Sequence, residues 1–447
     1  MNISVFGLGK LGAPLAVLLA SKGHDVTGYD IDPRPGELLA KGIAPVPEPG
    51  LAESLVALSG SFTAARDPAE AVRRSSATFI VVPTPSDDTG GFSTRYAEQA
   101  ASTIGAAVRG RSEYHLVVLT STVMPGATRQ AFVPALETAA GTRCGEALGV
   151  CYNPEFIALG SVLHDMLHPD LVLIGESDGR AGQTLESIYR TVCSPEVPIA
   201  RMSFENAEIA KLALNTFVTM KITFANGLAD ICERVPTGDV DAVSRAVGFD
   251  SRVGRKYLSG GTGYGGPCFP RDVIAFNALT RRLGLDAPLA TATDQSNRAR
   301  LDAILARVLD CAAPGSTVGV LGLSYKPGTP VIECSQGVEL AAKLVEAGRR
   351  VVVYDPMAHQ NAQAVLGTSV QYSASTAALL DAVDTAVIMT AWPEFQRLPA
   401  SAFKPFTKPK TIIDCWRIID KSQIGDAAKL VDIGRVDSTL KHAKAVQ

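Results

Sequence analysis

The chain has 447 residues, 46% of them hydrophobic and 19% charged, with a formal net charge of -3. That length is too great for one ordinary core and predicts about two to four domains. The near-neutral charge and the lack of a polybasic run exclude a nucleic-acid footprint, and no run reaches the ~20 apolar residues that span a bilayer, so no membrane partner is expected.

The eight cysteines, at 144, 151, 193, 232, 268, 311, 334 and 415, form no C-x-x-C pair and no close framework. Such spacing suits reduced thiols. The apolar run from Leu11 to Ala20 lies inside a glycine pattern and lacks the basic flank and cleavage site of a signal peptide. A cytoplasmic location is the expectation.

In chain order, Asn2 to Phe6 reads as a buried strand. It runs into Gly7-Leu-Gly9-Lys-Leu11-Gly12 and a small-residue helix from Ala13 to Ser21. Further strands are predicted at His24 to Tyr29, Ala77 to Val82, Leu116 to Leu119 and Gly149 to Tyr152, which together make a doubly wound parallel sheet. From Phe204 to about Glu233 the pattern becomes one long helix, with more helix at Asp239 to Val247 and Pro270 to Leu283 around a glycine-rich loop, Ser259 to Pro267. The α/β rhythm resumes with strands at Thr317 to Leu321, Arg350 to Tyr354, Thr385 to Met389 and Thr411 to Asp414, and a helix near Gly337 to Ala347. The fold class is therefore α/β: two Rossmann-like doubly wound parallel-sheet domains, 1–200 and 301–447, joined by a central helical domain, 201–300.

The first glycine motif carries a recognisable mechanism. Gly7 permits a tight turn, Gly9 lets backbone approach a pyrophosphate, and Gly12 lets helix and strand pack closely. Asp30, at the end of the second strand, can accept from a ribose diol and repel a 2′-phosphate, which predicts NAD over NADP. Arg34 is the counter-signal, since a basic side chain can hold such a phosphate. Leu11 sits within the fingerprint, and Thr84 with Pro85 and Thr122 lie on loops after predicted strands, where rigid ligand contacts are made.

The segment Gly263-Tyr-Gly265-Gly-Pro-Cys268-Phe-Pro-Arg-Asp272 is the most informative in the chain. Its glycines allow close backbone approach to a ligand. Cys268 precedes a predicted helix, whose free amides and dipole favour a thiolate. Asp272 follows one turn later. Lys211 and Asn215, four apart, share a helix face and can present an ammonium and an amide together. A thiolate for covalent capture, a cation and an amide for developing negative charge, and a carboxylate as base make a coherent set.

These residues resemble the UDP-glucose/GDP-mannose dehydrogenase family over nearly the whole chain. The likeness rests on the glycine fingerprint, Val82-Pro-Thr-Pro85, Ser121-Thr-Val-Met-Pro-Gly126, Asn153-Pro-Glu-Phe156, Lys211 with Asn215, Gly263 to Asp272, Gly322-Leu-Ser-Tyr-Lys326 and Tyr354-Asp-Pro356. The resemblance implies a four-electron, NAD-dependent oxidation of the C6 hydroxymethyl of a UDP-glucose-like nucleotide-sugar to a carboxylate. It assigns the nucleophile to Cys268, oxyanion stabilisation to Lys211 and Asn215, water activation to Glu155 and Asp272, and placement of water and nicotinamide to Thr122. It further implies substrate contacts at Glu155, Phe156, Lys211, Asn215, Tyr257, Gly265 and Lys326, with Arg417 a candidate, and a homodimer formed through the central helices. No metal site is expected, although His164 and His168 have a helical spacing compatible with one.

The sequence departs from the family in four places. Ile157, Ala158 and Leu159 replace the usual Leu-Arg-Glu, removing a cation and a carboxylate and putting glucose as the sugar in doubt. Glu333 lies in a segment that lacks the usual nucleotide-contacting arginine, Arg271 replaces a lysine, and Asp414-Cys-Trp-Arg417 replaces Asp-Gly-Arg. Two alternatives follow from the same fold: a two-electron or redox-neutral nucleotide-sugar enzyme, and a non-catalytic nucleotide-sugar binding protein.

Overall fold

Strand β1 (Asn2–Phe6) is buried on both faces from Ile3 onward, as expected for an apolar run in the middle of a parallel sheet. In this computed structural model, which describes residues 1–56, 58, 62–403 and 410–436, it is a central strand of an eight-stranded sheet. The other strands are β2 (Asp25–Tyr29), β3 (Phe62–Ala64), β4 (Ala77–Ile80), β5 (His115–Leu119), β6 (Leu148–Tyr152), β7 (Val172–Glu176) and β8 (Ile199–Met202). Their order is β3-β2-β1-β4-β5-β6-β7-β8, parallel throughout except that β6 meets β7 antiparallel, with Cys151 opposite Glu176. Strand order reverses between β1 and β4, where doubly wound sheets bind ligands at their carboxyl ends.

Alternate residues of β5 enter the two cores: Leu116 and Val118 join Ile3, Val5 and Phe79 on one face, while Val117 and Leu119 join Phe6, Ile80 and Tyr152 on the other. The helix Gly12–Ser21 is buried at every position from Gly12 to Ala20. A helix apolar all round belongs inside a layered domain.

The second sheet has six strands, β9 (Thr317–Leu321), β10 (Arg350–Tyr354), β11 (Gln371–Tyr372), β12 (Thr385–Ile388), β13 (Lys410–Asp414) and β14 (Ala428–Asp432), in the order β11-β10-β9-β12-β13-β14. All its pairings are parallel. This is the strand order 3-2-1-4-5-6 of the dinucleotide fold.

By contact density the chain divides into Met1–Ala213 with Arg281–Leu283, and Leu214–Thr280 with Gly284–Gln447. The central helices are Phe204–Cys232, Val240–Phe249, Phe269–Arg282 and Pro288–Cys311. The 29-residue helix Phe204–Cys232 begins in the first unit and ends in the second. The expected C-terminal domain, 301–447, runs past residue 436 and there lies outside the described residues. Among the described residues, no helix is long and apolar enough to cross a membrane.

Candidate active site

At the end of β1, Gly7 adopts a positive φ of 91°, and a Cβ there would run into the Val81 carbonyl. A Cβ at Gly9, by contrast, meets open space. The fingerprint thus makes one tight turn and leaves one open backbone face, at the start of a helix that no side chain caps. A pyrophosphate fits such a helix N-terminus through its amides and dipole.

Asp30 receives Leu8 N–H at 2.6 Å and Asp32 N–H at 2.9 Å, which fixes its carboxylate at the end of β2. It lines a cavity of about 360 Å³ with Gly28, Pro33, Gly36, Glu37 and Arg66. Arg34 lies at the surface, ion-paired with Asp32 at 2.6 Å. The residues present therefore suit an adenosine with a free ribose diol.

The corresponding acid in the second sheet, Asp355, is 2% exposed. One of its oxygens accepts from Leu323 N, Ser324 N, the Ser324 hydroxyl and Trp392 Nε1, the other from Met357 N and Ala358 N. Its lone pairs are consumed by the protein, so unlike Asp30 it has none left for a ribose.

The loops after β4 and β5 are tied together. Thr84 Oγ1 donates to the Thr122 carbonyl at 2.7 Å, and Ser121 Oγ donates to the Val82 carbonyl at 2.6 Å while accepting from Val82 N at 3.0 Å. Pro85 O takes Ser93 N–H at 2.9 Å. Farther along, Gly126 N and Thr128 N donate to the fully buried Glu208 carboxylate at 2.5 and 2.9 Å. Thr122 is thereby set on a braced loop.

Asn153-Pro-Glu155-Phe156 follows β6. Lys211 Nζ donates to the Glu155 carbonyl at 2.5 Å and lies 4.5 Å from the Phe156 ring centroid, so an ammonium is held beside Glu155. Protein surrounds the Glu155 carboxyl, and that desolvation pushes its pKa up against the opposing hydrogen bond from Tyr189 and the Lys211 charge. The departures beside it have a packing role: Ile157 and Leu159 pack on the core of the first sheet, Ala158 N bonds Asp165, and Glu48 caps Gly160 N and Val162 N.

In the second unit the helix Phe269–Arg282 starts directly after Cys268, and Asp272 N donates to the Cys268 carbonyl at 2.9 Å. Cys268 therefore stands at the helix N-terminus, exposed, where a thiolate is favoured. Asp272 is 1% exposed and accepts from Asn215 Nδ2 at 2.6 Å.

The glycine loop before Cys268 is clamped from several elements. Arg417 holds Gly260 O, Arg300 holds Gly261 O, Asn226 bonds Gly261 N and Thr262 O, and Asn297 bonds both Tyr264 N and Tyr264 O. Gly266 N donates to the Glu333 carbonyl at 2.9 Å. Where a side chain would stand at Gly265 or Gly266, the chain itself fills the space. A Cβ at Gly265 would strike the Cys334 carbonyl, and one at Gly266, whose φ is 85°, would strike the Tyr325 ring. Their smallness makes the loop rigid.

Arg417, a candidate substrate contact, has its guanidinium engaged by Asp241 at 2.8 and 2.9 Å and by the carbonyls of Gly260, Cys415 and Ile433. Its side chain is 2% exposed, and its place is that of a clamp. Tyr257, at a left-handed φ of 63°, sets its ring edge-on to Phe269 at 6.0 Å. Lys326 is half-buried on the turn after β9. The rings of His164 and His168 are 5.2 Å apart, and among the described residues no group of three metal-ligating side chains gathers. Sequence reasoning missed Glu208, Asn226, Asn297, Arg300 and Tyr189, which touch the motifs without belonging to them.

Comparison with known proteins agrees with this geometry. Residues 1–193 match the NAD-binding domain of the UDP-glucose/GDP-mannose dehydrogenase family, residues 205–299 its central domain and residues 319–421 its UDP-binding domain. The chain is 35% identical to UDP-glucose 6-dehydrogenase AglM of Haloferax volcanii over 96% of this chain and 100% of that one. It is 33% identical to UDP-glucose 6-dehydrogenase TuaD of Bacillus subtilis over 92% and 88%. Among solved structures, a UDP-glucose dehydrogenase from Pyrobaculum islandicum superposes with a TM-score of 0.87 at 38% identity, covering 97% of each chain. With an NAD-binding domain, a central domain and a UDP-binding domain in that order, the chain belongs to the UDP-glucose/GDP-mannose dehydrogenase family, and its cofactor is NAD.

Proposed function

We propose that this protein oxidises the C6 hydroxymethyl of UDP-glucose, or a closely similar UDP-sugar, to the uronate, with Cys268 as covalent catalyst. The observation that carries the reading is Cys268 at the N-terminus of Phe269–Arg282, on a clamped loop, one helical turn from Asp272 and its partner Asn215. NAD would supply the oxidant, one molecule bound in turn for each of two successive hydride removals.

In this reading the C6 hydroxyl gives its proton to water in the first oxidation, and Lys211 and Asn215 stabilise the alkoxide and later oxyanions, as a cation and an amide donor do. After the first oxidation the Cys268 thiolate adds to the aldehyde carbon, and the new C–S bond gives a thiohemiacetal. The second oxidation removes that carbon's hydrogen with its electron pair and leaves a thioester. Glu155 or Asp272 takes a proton from water, whose oxygen attacks the thioester carbon. The C–S bond breaks, the carboxylate departs and Cys268 recovers its thiolate. Thr122 places that water and the nicotinamide. Phe156, Tyr257, Gly265 and Lys326 contact the nucleotide-sugar, and Arg417 acts by holding the loop.

The active assembly is a homodimer. Phe217, Phe224 and Ile231, seven residues apart on Phe204–Cys232, are 56–58% exposed, an apolar stripe of the kind that a second copy covers. No disulfide joins the eight cysteines, which supports a reducing, cytoplasmic setting. Incubation of the protein and NAD with a panel of UDP- and GDP-sugars, followed by NADH absorbance and product mass, tests the assignment. A uronate from UDP-glucose supports it, and turnover confined to a GDP-sugar overturns it.

A further inference from the structure

Tyr189 belongs to none of the motifs, yet it lies against one of them. It sits on the helix Gly179–Val192, 8% exposed, with its hydroxyl 2.5 Å from Asn153 Oδ1 and 3.1 Å from Glu155 Oε1. The Asn153 amide is oriented independently, because its Nδ2 donates to the Leu173 carbonyl at 2.9 Å. The atom that faces Tyr189 is therefore the amide oxygen, which only accepts. A hydroxyl has one proton. Tyr189 can donate to either oxygen, but its one proton serves only one of them at a time. With that proton on Asn153, the Glu155 contact is a hydrogen bond only while Glu155 keeps its own proton. Once Glu155 ionises, its best partner is the same Tyr189 proton turned away from Asn153.

We propose that Tyr189 is a positioning residue for Glu155, and that Asn153 and Glu155 compete for its single proton, so that this competition sets the pH at which Glu155 becomes a base. The catalytic consequence rests on the reading of Glu155 as a water-activating carboxylate. The surroundings favour such a device. Burial pushes the Glu155 carboxyl up, while Tyr189 donation and the Lys211 charge pull it down. The other titratable group on the Tyr189 side is Cys193, whose thiol burial and the Glu155 charge push up to about 11, with Lys22 and Arg190 opposing. Tyr189 itself is pushed well above the phenol range by burial first and Glu155 second, so it stays protonated. The switch is a hydroxyl rotation and moves no proton off the ring oxygen.

The test combines infrared difference spectra of the whole protein across pH with the pH dependence of kcat/KM, using NAD and UDP-glucose. The wild type should show a protonated-carboxyl band that titrates and is absent in Glu155→Gln. Tyr189→Phe removes the donor to the carboxylate, so the band's midpoint and the acid limb of kcat/KM should both move up by about one pH unit. Asn153→Ala frees the donor, so both should move down by a similar amount. Unmoved midpoints, or shifts in the same direction for both variants, would overturn the inference. Tyr189→Phe alone decides the sign where Asn153→Ala fails to fold. Opposite infrared shifts alongside undiminished turnover by Glu155→Gln would uphold the proton competition and remove only the reading of Glu155 as a base.

Discussion

Asn215 Nδ2 donates to Asp272 Oδ2 at 2.6 Å, joining the helix Phe204–Cys232 to the helix that Cys268 begins. The bond fixes both side chains. Asn215→Asp would set two carboxylates in contact, and one would hold a proton at neutral pH. We expect kcat to fall about 10²-fold, as for loss of one preorganised oxyanion donor. Steady-state kinetics with a thermal melt separates this from unfolding.

Asp30 presents a fixed carboxylate at the end of β2, placed to meet an adenosine ribose, and Arg34 is tied to Asp32. NAD should therefore support turnover far better than NADP. Asp30→Ala should narrow the ratio of specificity constants, because it removes the charge that repels a 2′-phosphate. Comparable constants for both cofactors in the wild type would contradict this account of Asp30.

His115 on β5 is 1% exposed, and burial first, then the nearby Arg111 charge, lower its pKa from the ordinary 6.5 to about 4. A base with a depressed folded-state pKa contributes stability above its unfolded pKa and loses it as pH falls. Stability should thus decline between pH 6.5 and 4, by about 3 kcal/mol at most from this group. His115→Gln should flatten that part of the profile in urea titrations across pH.

How much of this was legible in the sequence depended on what signalled each element. Strands at Asn2, Thr317 and Arg350 were foreseen to the residue, because short apolar runs with a glycine turn at one end mark buried parallel strands. Strands β3 and β11, three and two residues long, carry no such period. The helix Pro288–Cys311 was missed for another reason. It buries Thr293, Asn297 and Arg300 among its core positions, so its inward face does not read as hydrophobic. Of these, Asn297 and Arg300 clamp the loop before Cys268. The motif residues themselves were visible. Their supports were not, since Glu208, Asn297 and Tyr189 act through partners far away in the chain.

Phe224 is 57% exposed in the middle of the apolar stripe on Phe204–Cys232. Light scattering at micromolar concentration should give a dimer mass for the wild type, and Phe224→Glu should shift it toward the monomer, since an unpaired buried charge costs several kcal/mol at an interface, about 3–5. A wild-type monomer would contradict the dimer.

The central claim is that Cys268 carries the sugar through both oxidations. Its most direct test follows NADH and uronate together in the wild type and in Cys268→Ser, with UDP-glucose and NAD in excess. The wild type should release two NADH for each uronate. Cys268→Ser should still bind NAD and sugar but lose steady uronate production, because a serine hydroxyl is a far poorer nucleophile than a thiolate at neutral pH. Any ester that forms slowly should persist as an adduct visible by mass. Steady, undiminished production of two NADH per uronate by Cys268→Ser would contradict the covalent role and leave Cys268 as packing.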